Sequence, residues 1–254
     1  MLGIDRRWLK PDVAACGKHP AFNDFIGINM TFPLANALAS WVDAGVKAGT
    51  ATDAKKARGI HSFQFWTRGS HKQTLIVGII KDSGDSLGRI YPLLIMGQVY
   101  MKENNRQWPV VFDHFREVFR AFEEMTAARY NRFKEFETAL FDIRFPEIDK
   151  GNMVKMSGFS DSLAAWSRKS RPDENLILPV PVFLEQYQSH TDNDLVQRRG
   201  GTRIEPPKAV FIGGLPEKPI TAIYQRPLRT HDFCRLFDLA HNTFNGSKSK
   251  IGNG

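Results

Sequence analysis

Thr74-Leu-Ile-Val-Gly-Ile-Ile-Lys-Asp-Ser-Gly-Asp-Ser-Leu-Gly-Arg-Ile-Tyr-Pro-Leu-Leu-Ile-Met96 is the stretch whose reading decides the fold. Two apolar runs, Leu75 to Ile80 and Ile90 to Met96, flank a polar segment holding Asp82, Ser83, Gly84, Asp85, Ser86 and Gly88. Short β-branched runs bounded by turn residues read as buried strands, and the linker as a hairpin loop whose glycines can take positive φ. Pro92 falls inside the second run, where a missing N–H is tolerated only at an edge or a bulge. The reading is therefore a bent or bulged strand with Gly88-Arg89 at its entrance.

Working outward, Val13 to Cys16 is a short strand candidate closed by Gly17, and Gly17 to Phe25 is compact turn chemistry. Pro33 opens a helix with Leu34, Ala37, Leu38, Trp41, Val42 and Val46 on its apolar face, and Gly45 and Gly49 offer stops. Ser62 to Thr67 alternates like a strand. From Pro109 the period changes: Val111, Phe115, Val118, Phe122, Met125, Phe133, Phe136 and Leu140 predict a long amphipathic helix or a helix pair covering the sheet.

Further on, Ser160 is a cap candidate for a short helix carrying Leu163, Ala164 and Trp166. Leu176 to Leu184, broken by Pro179 and Pro181, reads as an edge segment or strap. Gln188 to Pro207 reads as a long loop, Lys208 to Ile212 as a strand, and Pro219 to Arg226 as a connection. A last helix has Thr230 as N-cap and Asp232 in its first turn. The expected fold class is α/β (α+β): a central, largely antiparallel sheet covered by helices in a single domain over 1–245, with a flexible tail over 246–254.

The composition of the 254 residues, 42% hydrophobic and 24% charged, is that of a globular chain. No run of about 18 apolar residues suggests a membrane span, and the N-terminus lacks a secretory h-region. Cys16 and Cys234 are too few for a disulfide framework, and the seven His are scattered. A cytoplasmic location without metal or cofactor is the expectation. The net charge of +8 invites a nucleic-acid reading through Arg168, Lys169, Arg171, Arg198, Arg199 and Arg203, although acids are interspersed along most helices.

Templates for nucleophilic, phosphate-binding and metal-dependent enzymes fail: there is no G-x-S-x-G, G-x-x-x-x-G-K-[ST], H-E-x-x-H or C-x-x-C. Cys16 with His19 is a conceivable thiolate pair, weighed against an inert buried cysteine. A hydrolase assembled only in three dimensions would require a concave pocket with a strongly perturbed titratable group. Two polar constellations remain: Lys18, Asn23 and Asp24 in the first turn, and Asp82, Asp85, Arg89 and Tyr91 at the hairpin. They read either as a docking surface or as an internal lock in which Asp24 pairs with Arg89 across adjacent loops.

These constellations also carry a resemblance. Gly17-Lys18-His19-Pro20, followed by Asn23-Asp24-Phe25, resembles the G-K-L-P-x-x-G-D-F signature of the TagF (ImpM) family, accessory proteins of bacterial type VI secretion. Gly88-Arg89-Ile90-Tyr91-Pro92-Leu93 resembles the family's G-R-x-[FY]-P-L. Val210 to Leu215 and Phe233 to Leu236 are similar to its closing strand and helix, with Val210-Phe211-Ile212 where many members carry Trp-Trp-Thr. His19 replaces Leu and Asn23 replaces Gly, a substitution that positive φ at asparagine would accommodate.

The resemblance implies a non-enzymatic regulator, a post-translational repressor of type VI secretion. Its implied partner is a type VI component such as a forkhead-associated-domain scaffold, and the pathway can include a protein phosphatase. Gly17, Lys18, Pro20, Asn23, Asp24, Phe25, Gly88, Arg89, Tyr91 and Pro92 are then the motif and candidate interaction residues. A flat face with Asp24 and Arg89 buried together would suit that reading.

Overall fold

The computed structural model describes residues 12–50, 60–69, 74–100, 108–146, 157–169, 175–188 and 206–239. The basic residues Arg171, Arg198, Arg199 and Arg203, the side chains of Arg168 and Lys169, most of the 188–207 loop and the 246–254 tail lie outside them.

The apolar runs become strands: β1 (Asp12–Gly17), β2 (Ile26–Ile28), β3 (Ser62–Arg68), β4 (Thr74–Lys81), β5 (Leu93–Tyr100), β6 (Asn175–Pro179), β7 (Ala209–Leu215) and β8 (Lys218–Tyr224). Among the described residues they form one eight-stranded sheet in the order β2-β1-β5-β4-β3-β7-β8-β6. Every pairing is antiparallel. Leu75 to Ile80 is buried throughout because β4 is central and covered on both faces, which is why it lacks polar alternation. Its side chains divide by parity: Leu75, Val77 and Ile79 enter one core, Ile76 and Ile80 the other.

The first core is closed by α2 (Val111–His114), α3 (Arg116–Ala127), α4 (Phe133–Asp142), α5 (Gly158–Lys169) and α6 (Val180–Gln188); the second by α1 (Pro33–Thr50) and α7 (Thr230–Leu239). The result is a sheet between two helical layers, the α+β class expected.

Several boundaries differ from the sequence reading. The apolar period from Pro109 is real, with Phe115, Phe119 and Phe122 fully buried, but it spans a 3-10 turn (Trp108–Val110) and three helices. Phe115 at φ −99°, ψ 19° separates α2 from α3. Extended backbone at Ala128 ends α3, and Glu135 accepts the Asn131 N–H at 3.0 Å as α4 begins. Pro92 precedes β5 instead of bending it. Pro219 to Arg226 is not a connection: Lys218–Tyr224 is a strand paired to β7 through a two-residue turn.

Pro179 and Pro181 divide an edge strand from a helix, since proline is tolerated in a first helical turn. Ser160 is buried and gives its hydroxyl to Asp113 at 2.5 Å, while Ser157 accepts the Ser160 N–H at 3.3 Å in the capping role. Gly45 and Gly49 do not stop α1, which runs on to Thr50. A Cβ at Gly45 would fall inside the Phe233 ring, so that glycine sets how closely α7 packs on α1.

Candidate functional site

The loop after β1 and the loop between β4 and β5 meet at one end of the sheet. Their junction is tight: Gly17 sits at φ +121°, and a Cβ there would overlap the Pro92 carbonyl oxygen. Two motif residues distant in sequence thus fix one backbone approach.

At the centre of the junction is Asp85, whose side chain is fully buried. Its Oδ1 accepts the N–H groups of Leu87 (3.1 Å) and Arg89 (2.9 Å); its Oδ2 accepts Arg89 Nε (2.6 Å) and lies 3.0 Å from Lys18 Nζ. Burial alone would raise this carboxyl, but the Arg89 N–H, Lys18 and the Arg89 guanidinium hold it far below the ordinary carboxylate range. The Gly88 N–H donates to the Asp85 carbonyl at 2.9 Å, with Gly88 at φ +79°. Arg89 Nη2 also donates to the Asn23 carbonyl, and Ser86 Oγ to Asn23 Oδ1. The Ser86 N–H reaches the Phe22 carbonyl at 2.9 Å.

The internal lock therefore exists, with a different acid. Asp85 is its hub; Asp24 is 95% exposed at the side chain and only grazes Arg89 at 3.8 Å. The expected burial of Asp24 with Arg89 is overturned, because Asp85 already occupies the inner side of the guanidinium. Asn23 does not use positive φ either; Asn29 (φ 50°) is the non-glycine residue that does among the described residues.

His19 explains itself as a replacement for leucine. It is 1% exposed, and its ring lies 5.2 Å from Phe136, 5.3 Å from Phe22 and 5.5 Å from Tyr130. Nδ1 accepts the Ala21 N–H at 3.1 Å, so Nε2 carries the proton and donates to the Met125 carbonyl at 2.9 Å. Burial lowers its pKa, against the Met125 bond that favours the proton. The ring thus ties the motif loop to the end of α3, and both nitrogens are engaged away from Cys16. Burial pushes the Cys16 thiol up to about 12. No thiolate pair forms.

The motif residues separate into two sets. Gly17 and Pro92 are buried, Lys18 and Tyr91 half-buried, and all four are held inside the junction. Pro20, Asn23, Asp24, Phe25, Gly88 and Arg89 are exposed. Beside them stand Leu87 at 66% and Ile90 at 83% exposure, two large apolar side chains that the sequence reading did not single out. Phe25, 53% exposed, meets the Tyr91 ring edge-on at 5.2 Å. Among the described residues, no group of His, Cys, Asp and Glu could hold a metal ion, and no helix is long and apolar enough to cross a membrane.

The family described as TagF N-terminal domain, type VI secretion system-associated, matches residues 14–143, just over half of the chain and both motif loops. The chain belongs to the TagF family. Val210 to Leu215 and Phe233 to Leu236 fall beyond the matched residues. A crystal structure of PA0076 from Pseudomonas aeruginosa PAO1 is similar with a TM-score of 0.52, covering 95% of this TagF chain and 99% of that one at 15% identity. At that identity the likeness is one of fold. No curated protein matches the chain.

Proposed function

We propose that this TagF-family protein is a non-enzymatic accessory protein that represses type VI secretion after translation. It works in the cytoplasm by binding a secretion component that carries a forkhead-associated domain. One observation carries the reading: the motif loops use their inner residues to lock each other and leave Asp24, Phe25, Leu87, Arg89 and Ile90 outward. Large apolar side chains cost free energy in water, and an apolar cluster with a polar rim is the composition of a protein-docking patch. Tyr91 and Cys16 are both pushed up to about 12, so neither offers a phenolate or thiolate at neutral pH.

The test is co-purification from the protein's own bacterium at about 0.15 M and roughly 0.5 M salt, where screening weakens exposed charge pairs. The wild type is expected to bring down a forkhead-associated-domain component at both salts, and Ile90→Glu to lose it while keeping its melting temperature. Recovery of that component with Ile90→Glu equal to wild type would refute the proposed face.

A further inference from the structure

Where the signature has leucine, this chain places at His19 an imidazole whose two nitrogens face different parts of the fold. Nε2 donates to the Met125 carbonyl near the end of α3, and Nδ1 accepts the Ala21 N–H at 3.1 Å from its own loop. A second proton has one place to go, Nδ1. There it would set a donor against a donor, break the Ala21 bond and leave a charge on a residue that is 1% exposed. Burial lowers the ring's pKa more than the Met125 bond raises it, and no neighbouring charge contributes.

The elements packed around the ring supply nothing that would welcome the charge. The Tyr130 phenol is raised by burial, and Cys16 of β1 is neutral up to about 12. Lys18 is turned to Asp85, and Glu123 of α3 to Ser62 and Lys81. On α4, Glu135 accepts the Asn131 N–H and Glu137 pairs with Lys134, while Arg129 and Arg132 of the turn are exposed cations. The Phe22 and Phe136 rings attract a cation weakly but offer no acceptor for an Nδ1 proton.

Loss of the Ala21 bond reaches the outer face through the same turn. The Phe22 N–H closes that turn onto the His19 carbonyl at 3.0 Å, and the Phe22 carbonyl accepts the Ser86 N–H at 2.9 Å. Asn23 takes Arg89 on its carbonyl and the Ser86 hydroxyl on its side chain. The turn thus clasps the loop that presents Leu87 and Ile90. We propose that His19 is a proton-operated latch on the docking face: neutral, it closes the clasp on residues 85–90, and protonated at Nδ1 it opens the clasp and weakens partner binding. The latch rests on the reading of that face as the binding surface, but it is measurable without a partner. The closed loop excludes a proton that the open loop takes at the ordinary value of about 6.5. Closure is therefore complete above that pH and is lost as pH falls below it, the open fraction rising up to about ten-fold from about pH 7.5 to 5.5.

The experiment is an NMR titration of the isotope-labelled whole chain over the same range. It follows the His19 ring, the Ala21 and Ser86 amide shifts, and Ser86 amide exchange corrected for its intrinsic pH dependence. The ring midpoint should lie below about 6.5, the two amides should move with it, and Ser86 exchange should quicken by roughly three- to ten-fold. His19→Leu should flatten these responses. A ring midpoint at or above about 6.5, amides that stay still across it, or a response that survives His19→Leu would overturn the latch. Co-purification separates the two readings. Recovery of the forkhead-associated-domain component should fall at about pH 5.5 with the wild type and hold with His19→Leu; equal recovery by the wild type at both pH values would overturn the link to binding. If the amides follow the ring and no such component is recovered at either pH, the latch stands and the docking reading falls.

Discussion

Asp85 and Asp232 are both buried carboxylates that gather an arginine and backbone N–H groups, yet the surfaces above them differ. Asp232 takes Arg226 in a two-pronged pair at 2.7 and 2.8 Å and accepts the Arg229 N–H at 2.7 Å. The exposed side chains around it are polar, Arg229, Thr230 and His231, while Arg226 lies 5.7 Å from the Tyr224 ring centroid and Trp41 donates to the Arg229 carbonyl as it packs on Phe233. Asp85 organises its loop just as tightly, but that loop presents Leu87 and Ile90 to solvent. One carboxylate seats a helix; the other holds a surface in shape. Rigidity at the motif is therefore pre-organisation, which lowers the ordering cost of binding.

The largest expected effects come from removing either hub. Asp232→Ala should cost roughly 3 kcal/mol in chemical denaturation, because Arg226 is left half-desolvated without its partner. Asp85→Ala should lower the melting temperature by on the order of 10 °C. The contrast is in binding: below its melting point Asp232→Ala should keep the secretion partner, and Asp85→Ala should lose it. Equal partner retention by the two variants would erase the distinction.

Next come the two close approaches. Gly17→Ala drives a methyl into a backbone oxygen at positive φ and should cost about 3 kcal/mol, whereas at Gly45 the obstacle is the Phe233 ring, which can shift, for about 1–2 kcal/mol. Urea midpoints in the reverse order would contradict the geometry.

Acid should act on both hubs together. Burial raises each carboxyl, but hydrogen bonds and ion pairs outweigh it, so both are depressed in the folded state. Their stabilisation is complete above the unfolded carboxyl value of about 4 and is lost as pH falls below it. The melting temperature should drop below about pH 4 in the wild type, and the drop should be shallower in Asp232→Asn.

How much of this was legible follows from where the signals reside. β3, β4, the start of α1 and the Phe face of α3 are written in local periods, so sequence order suffices. The partner of Arg89 is local, four residues back at Asp85, but no period marks it, and choosing Asp24 favoured a pairing between the two loops over one within the hairpin loop. A local cue did exist: Asp85, three residues before Gly88, accepts the N–H two residues on, an Asx turn that a reader could anticipate. β8 was missed because Pro219 looked like a breaker, although Ile220, Ala222 and Tyr224 keep one period-2 face. The exposure of Leu87 and Ile90 could not be read at all. Ile90 heads an apolar strand pattern and looks like core, Leu87 is a lone apolar residue in the linker, and only the turn places both outside.

The smallest structural effect should carry the largest functional one. Ile90→Glu, at 83% exposure, should change stability by less than about 0.5 kcal/mol. The direct measurement is type VI secretion in a strain lacking this gene, complemented with wild type, Ile90→Glu, or Val182→Glu on α6 as a remote exposed control. Repression by the wild type and Val182→Glu proteins, with secretion left unrestrained by a folded Ile90→Glu protein, is the predicted result. Full repression by Ile90→Glu would contradict the account.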